Sequence, residues 1–346
     1  MLPRILRGAG LALLAGASLF AAELDLNIQT GDFELGPDSL VQEGVPQGRL
    51  EGPFEFHSEI IPNTVRRYWV FVPAQYDPAE PASLLVFQDG QRATNPGGSL
   101  RVQNVLTNLI HQGAIPTTIG IFITPGNTTN ESEHYPDDLG MSNPNHRWQE
   151  YDVVSDDYSR FLIEEMLPHV AESYNLTDDP EQRAIGGTSS GAICAFTVAW
   201  NHPDVFTKVI SFIGSFVSIG ARPVSDEPGA AWSTGGHQYP AMIRRTPPKP
   251  LRIFFQDGSN DLDNSWGNWF LANQQMVKAL HFTNRQAERF ESGEMRWNPF
   301  RGSSVPLVEG QRYAVRNVWT DGRHSDQHGG SMLPDVIRWL WSDATE

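Results

Sequence analysis

From residue 54 onward the chain alternates between two hydrophobic periods. Residues 54–61 and 65–72 read as neighbouring strands, joined at Pro62-Asn63-Thr64, a turn that proline presets and asparagine tolerates. Short apolar runs at 84–87, 119–123, 209–213, 253–255 and 313–319 predict further strands. Between them, 100–112, 156–174, 192–200, 268–280 and 331–341 carry helical patterns. In 156–174 one greasy face is built from Phe161, Leu162, Met166, Leu167 and Val170, and Pro168 predicts a kink or an early end. Short apolar strands alternating with helices call for an α/β fold: a mostly parallel central sheet with helices on both faces and an antiparallel start from the opening pair. Such sheets bind ligands at the carboxyl ends of their strands. Two stretches break the alternation, 125–148 and 222–252, and are expected as long loops shaping a pocket over that edge.

The amino-terminal pattern differs. Arg4 and Arg7 precede an apolar run at 8–20 and the small residues Ala21 and Ala22, so residues 1–22 read as a signal peptide too short to span a bilayer. Leu19 and Phe20 are poor residues near a cleavage point, and the cut is not fixed by the sequence. Residues 23–50 are polar and glycine- and proline-rich, an extended lead-in, and 51–346 form one catalytic domain. The protein is therefore expected to be exported, periplasmic or extracellular, with no membrane association after cleavage. Cys194 is the only cysteine, so no intrachain disulfide forms, and inside the predicted helix it reads as a small apolar residue. A formal charge of -16 argues against a nucleic-acid partner, since that affinity needs lysine and arginine. The oligomeric state is not legible.

Chemistry enters at Gly187-Thr188-Ser189-Ser190-Gly191, between the strand-like 183–185 and the helical 192–200. A strand-to-helix turn this tight needs residues almost free of side chain around the nucleophile, which glycine supplies on both sides of Ser189. A serine nucleophile needs a base, and the base needs an acid to orient it. After the strand ending at Phe255 comes Gln256-Asp257-Gly258-Ser259-Asn260-Asp261-Leu262-Asp263; after the strand ending near Trp319 comes Gly322-Arg323-His324-Ser325-Asp326-Gln327-His328. Ser, Asp, His is the chain order of α/β-hydrolases. Asp261 is favoured as the acid, because Gly258 lets its loop turn over the sheet edge, with Asp257 and Asp263 as alternatives. His324 follows Gly322 and is favoured as the base, with His328 as the alternative or a neighbouring support. A calcium loop starting at Asp257 fails, with Leu262 where glycine is needed and Asn268 where a glutamate is needed. The oxyanion needs two backbone N–H groups: one from Ser190, the other from Gln91 in the turn Gln88-Asp89-Gly90-Gln91, with Gly90 as fallback.

These residues resemble the enterochelin-esterase-like and esterase D branch of the α/β-hydrolases, which includes feruloyl esterases, S-formylglutathione hydrolases and mycolyltransferases. The resemblance runs from about 54 to 341. It is carried by Val86-Phe87-Gln88-Asp89-Gly90, by His146-Arg147-Trp148-Gln149-Glu150-Tyr151, by Phe161-Leu162-Ile163-Glu164-Glu165-Met166-Leu167-Pro168, by the Ser189 turn, and by Gly258-Ser259-Asn260-Asp261 and Gly322-Arg323-His324-Ser325. It implies the α/β-hydrolase fold, an acid in a Gly-x-x-Asp turn and a base in a Gly-x-His loop. It also implies Arg147 and Glu150 beside the site as an ion pair, whether substrate-binding or structural. No separate amino-terminal domain of the enterochelin-esterase kind is expected, and an export signal does not suit cytosolic formaldehyde detoxification.

The reading is an exported serine carboxylic-ester hydrolase that works through an acyl-enzyme on acylated carbohydrate or aromatic esters. Its partner is a small-molecule or polysaccharide ester, and no cofactor or metal is expected. Trp148, Trp266 and Trp269 are placed either to stack on a sugar or aromatic acyl group or to pack. The rivals are a siderophore trilactone esterase or acyltransferase of the same fold, and a non-catalytic secreted carbohydrate-binding protein.

Overall fold

Leu84 and Val86 lie in one apolar layer and Leu85 and Phe87 in another, the alternation of a strand buried on both faces. The computed structural model describes residues 27–128 and 145–342. The expected signal peptide at 1–22 and part of the first long loop lie outside those residues. Among the described residues the strands are β1 (Ile28–Gln29), β2 (Arg49–Ser58), β3 (Thr64–Val72), β4 (Ser83–Gln88), β5 (Thr118–Ile123), β6 (Asn127–Thr128), β7 (Arg183–Thr188), β8 (Lys208–Phe212), β9 (Arg252–Gly258), β10 (Asp263–Asn264), β11 (Gly267–Asn268) and β12 (Ala314–Thr320). The helices are α1 (Gly90–Ala93), α2 (Val102–His111), α3 (Arg147–Tyr151), α4 (Asp157–Arg160), α5 (Leu167–Ala171), α6 (Ser190–Asn201), α7 (Tyr239–Arg245), α8 (Trp269–Glu291) and α9 (Gln327–Trp341).

The main sheet runs β1-β12-β9-β8-β7-β4-β5-β3-β2, with β6 on β3. The pairs from β1 to β5 along this order are parallel, whereas β5–β3 and β3–β2 are antiparallel. This is the mixed, mainly parallel sheet of an α/β-hydrolase. One apolar layer packs α6, α8 and the α4–α5 segment on one face; the other packs α2 and α9 on the opposite face. The strand order puts β4, β7, β8, β9 and β12 side by side, so five turns distant in sequence leave the sheet along one edge.

The opening strand differs from the sequence expectation, running Arg49–Ser58 and not 54–61, so it begins inside the stretch expected as lead-in. Three further elements differ, each for a local reason. Residues 156–174 form no single α-helix: α4 passes into a π-helical stretch, Phe161–Met166, and then α5. Pro168 has no N–H for the residue-164 carbonyl and crowds it, and the widened turn absorbs that missing bond. The stretch 222–252 is not wholly loop, because it contains α7, whose Pro240 sits in the first helical turn, where an amide has no partner anyway. Helix α8 continues to Glu291, with Thr283 and Ala287 keeping its buried face beyond 280.

Candidate active site

Ser189 sits between β7 and α6 at φ 58° and ψ -123°, a conformation that strains any non-glycine residue. The strain is held from several sides: its N–H donates to the Phe212 carbonyl at 2.9 Å, and its own carbonyl accepts from Ala192 at 3.0 Å and from Ser215 at 3.1 Å. The flanking glycines are needed for space rather than for unusual φ. A Cβ on Gly187 would stand 2.4 Å from the Gly191 backbone, and one on Gly191 would stand 3.1 Å from Oδ2 of Asp89. The Ser189 elbow and the turn at Asp89 therefore touch. Asp89 enters α1 in left-handed backbone, φ 55° and ψ 56°, with Gly90 and Gln91 next. The Ser190 and Gln91 amides both lie in first helical turns, where no intrahelical carbonyl is available to them.

The imidazole of His324 spans the gap between serine and carboxylate. Its Nε2 is 2.9 Å from Oγ of Ser189, and its Nδ1 is 2.6 Å from Oδ1 of Asp261. With Nδ1–H donating to the carboxylate, Nε2 is left as an acceptor for the serine proton. The three side chains are graded in burial: Asp261 is fully enclosed and His324 keeps 22% of its side-chain surface. Asp257 is buried and bonded to Gly258 and Asn273, Asp263 lies on the exposed β10, and neither is hydrogen-bonded to the imidazole. His328 bonds Thr320 Oγ1 at 2.7 Å, stacks on Phe33 at 4.0 Å, and has no hydrogen bond to Ser189.

The turns that carry Asp261 and His324 are stapled together. Ser259 N–H donates to the Thr320 carbonyl at 2.8 Å, Asn260 N–H to Gly322 at 3.1 Å, and the Asn260 side chain to Asp321 at 2.8 Å. Gly258 and Gly322 act here through close approach and not through flexible φ, since a Cβ on Gly258 would stand 2.1 Å from the Gly322 carbonyl oxygen.

Comparison with known proteins adds the family. The Esterase family model, described as "Putative esterase", matches residues 58–305. This chain belongs to the Esterase family. It is 24% identical over 155 residues to the uncharacterized protein YbbA of Bacillus subtilis, covering 44% of this chain and 57% of that protein. It is 25% identical over 159 residues to an iron(III) enterobactin esterase of Escherichia coli, covering 46% of this chain and 34% of that one. The chain thus spans about a third to just over half of these curated relatives. A CE1 ferulic acid esterase from Anaeromyces mucronatus, solved with ferulic acid, superposes with TM-score 0.55 at 16% identity over 87% of this chain and 93% of that one.

In this family member Arg147 and Glu150 lie near the turn at Asp89 but do not pair with each other. Arg147 makes a bidentate bond to Asp89, Nε to Oδ1 at 2.9 Å and a terminal nitrogen to Oδ2 at 2.7 Å. Glu150 pairs with the fully buried Arg66 at 2.8 and 3.2 Å and also accepts from the Gly126 amide. Helical spacing places 147 and 150 on one face, and the actual partners come from β3 and from the turn after β4. Burial pushes the nearby Asp152 carboxyl up to about 7, against the opposing pull of Arg147 and the Ser190 hydroxyl, while Asp89 reinforces the rise. One guanidinium serves two carboxyls, and its direct bonds go to Asp89.

Trp148 and Trp266 stand half exposed, whereas Trp269 is buried, with its ring edge-on to His324 at 5.8 Å. Sequence reasoning missed Ser215, whose Oγ lies 3.1 Å from that of Ser189 and accepts from the Trp269 indole at 3.0 Å. Its place just after β8, between the nucleophile and acid strands, was the available signal. Among the described residues, no cluster of three His, Cys, Asp or Glu side chains could hold a metal ion.

Proposed function

We propose that this chain is an exported serine carboxylic-ester hydrolase acting on acylated carbohydrate or aromatic esters. The observation that carries the reading is the continuous relay from Ser189 Oγ through His324 to Asp261, at 2.9 and 2.6 Å. Ser189 attacks the ester carbonyl while Nε2 of His324 takes the hydroxyl proton, and Asp261 holds the imidazole and stabilises its cation. The amides of Ser190 and Gln91 receive the oxyanion, with Gly90 beside them. The imidazolium returns the proton to the departing alcohol, and a water molecule, deprotonated by the same nitrogen, releases the acyl group. Asp89 and Arg147 hold the oxyanion turn, and Trp148 and Trp266 offer exposed aromatic faces to a sugar or aryl group.

Membership of the Esterase family and the feruloyl-esterase fold support the reaction class. The match to an enterobactin esterase favours a second reading, a siderophore trilactone as the ester. Export rests on the pattern at 1–22. A fluorophosphonate probe tests the chemistry: the wild type is labelled, Ser189→Ala is not, and a folded wild type that resists the probe is a binding protein instead. A panel of methyl ferulate, acetylated xylan, p-nitrophenyl esters and enterobactin separates the substrate readings. Sugar acceptors added to the panel expose an acyltransferase. Amino-terminal sequencing of secreted material tests export, which fails if the protein stays in the cytoplasm with Met1 retained.

A further inference from the structure

Behind the acid of the relay lies a second carboxyl that ester chemistry does not use. Asp257, at the carboxyl end of β9, is completely buried. Its oxygens accept from the Gly258 amide at 2.7 Å and from the Asn273 side-chain amide at 2.6 Å, and the Asp261 carboxyl acts on it as a hydrogen-bonding and charged neighbour. On Asp261, Oδ1 is occupied by His324 at 2.6 Å and the Leu262 amide at 2.5 Å, whereas Oδ2 is buried and no N–H reaches it. Two carboxylates cannot bond one another without a proton, and two buried negative charges in contact repel. One of the two must stay protonated.

The surroundings say which. Facing Asp257 are the Asp261 carboxyl, the neutral Asn273 from α8, and from β12 the neutral Thr320, whose hydroxyl donates to the Asp257 backbone carbonyl at 3.3 Å. Burial, and then the hydrogen bond and charge of Asp261, hold its proton well above the ordinary carboxylate range, against the opposing pull of the Gly258 and Asn273 donors. Asp261 instead faces the imidazole.

Resting on the catalytic reading above, we infer that Asp257 is a positioning residue: it stays a neutral carboxylic acid and donates its proton to Oδ2 of Asp261, fixing that carboxylate beneath His324. The extra donor fills the one vacant acceptor of the acid and spreads its charge. It thereby weakens the acid's hold on the imidazolium, which must surrender its proton to the leaving alcohol. A carboxylate deprived of this donor swings more freely and grips the cation harder, so the acidic limb of the pH profile moves to higher pH.

Two measurements test the inference. Infrared difference spectra of wild type against Asp257→Asn at pH 7 should show the carbonyl band of a neutral carboxyl in the wild type and not in the variant; the raised acid Asp152, on the other side of Ser189, cancels in the difference. This readout does not depend on turnover, so it can fail while Ser189 is shown to be the nucleophile, and it can succeed if the catalytic reading fails. Second, kcat is measured per probe-labelled site, which corrects for any misfolded fraction. Asp257→Ala should lose about tenfold, the cost of leaving a buried acceptor without its donor, and its acidic limb should move upward. Asp257→Asn, which keeps an N–H donor, should recover most of that loss. The inference is overturned by an absent band, by an unshifted limb in Asp257→Ala, or by an Asn variant as impaired as the Ala variant.

Discussion

Two buried carboxyl clusters flank the elbow serine, and they handle negative charge in opposite ways. On the oxyanion side, Asp89 and Asp152 share a permanent cation, Arg147. On the acid side, Asp257 lends its proton to Asp261, and Asp261 alone bonds a partner whose charge comes and goes, His324. A fixed guanidinium can anchor a turn but cannot cycle a proton. An imidazole can cycle a proton, but it neutralises a carboxylate only while it is protonated. The difference predicts that changes on the acid side act on turnover, and changes on the arginine side act on stability.

The largest expected effect breaks the relay. Asp261→Asn should lower kcat by roughly 10⁴-fold with little change in Tm, because the amide favours the wrong imidazole tautomer. A loss below tenfold in steady-state hydrolysis would move the acid role elsewhere. Arg147→Met should instead cost about 3 kcal/mol in urea unfolding, by leaving Asp89 buried without its partner. Turnover of the folded fraction should fall much less than in Asp261→Asn, and equal losses would erase the contrast between the flanks.

Asp152 sharpens the comparison through pH. Its folded carboxyl titrates at about 7, above the ordinary 3.8, so its stabilising contribution is complete below about pH 4 and is lost as pH rises through 7. Asp152→Asn should remove that decline, and Tm measured from pH 5 to 8 should be flatter in the variant than in the wild type. Parallel curves would show that Asp152 is ionised throughout. The smallest effect is expected at the rim, where Trp148→Ala or Trp266→Ala should raise KM by about fivefold to tenfold with kcat retained, matching the loss of one stacking contact.

Much of the fold was legible because strand and helix periods are local. Residues 84–87 became β4 with one residue added at each end, and 313–319 became β12 shifted by one. The helix interrupted at Phe161–Met166 was half legible: Pro168 announced a disturbance, yet whether the chain ends, kinks or widens depends on the layer packed against it. At the site, the spacing of Gly187, Ser189 and Gly191 marked the elbow, and chain order pointed to the turns after β9 and β12. The pairings Arg147–Asp89 and Arg66–Glu150 were not legible, since their members come from elements 58 and 84 residues apart.

The sequence by itself determined the backbone periods, the glycines that permit close approach, and the order in which chemically competent residues appear. These depend on neighbours a few positions away. Only the tertiary structure decided that Asp261, and not Asp257 or Asp263, meets His324, that Ser215 stands beside Ser189, and that Arg147 turns to Asp89. Such choices follow from strand order and register, which set β4, β7, β8, β9 and β12 along one edge, and no local pattern encodes which side chains then come within hydrogen-bonding distance of each other.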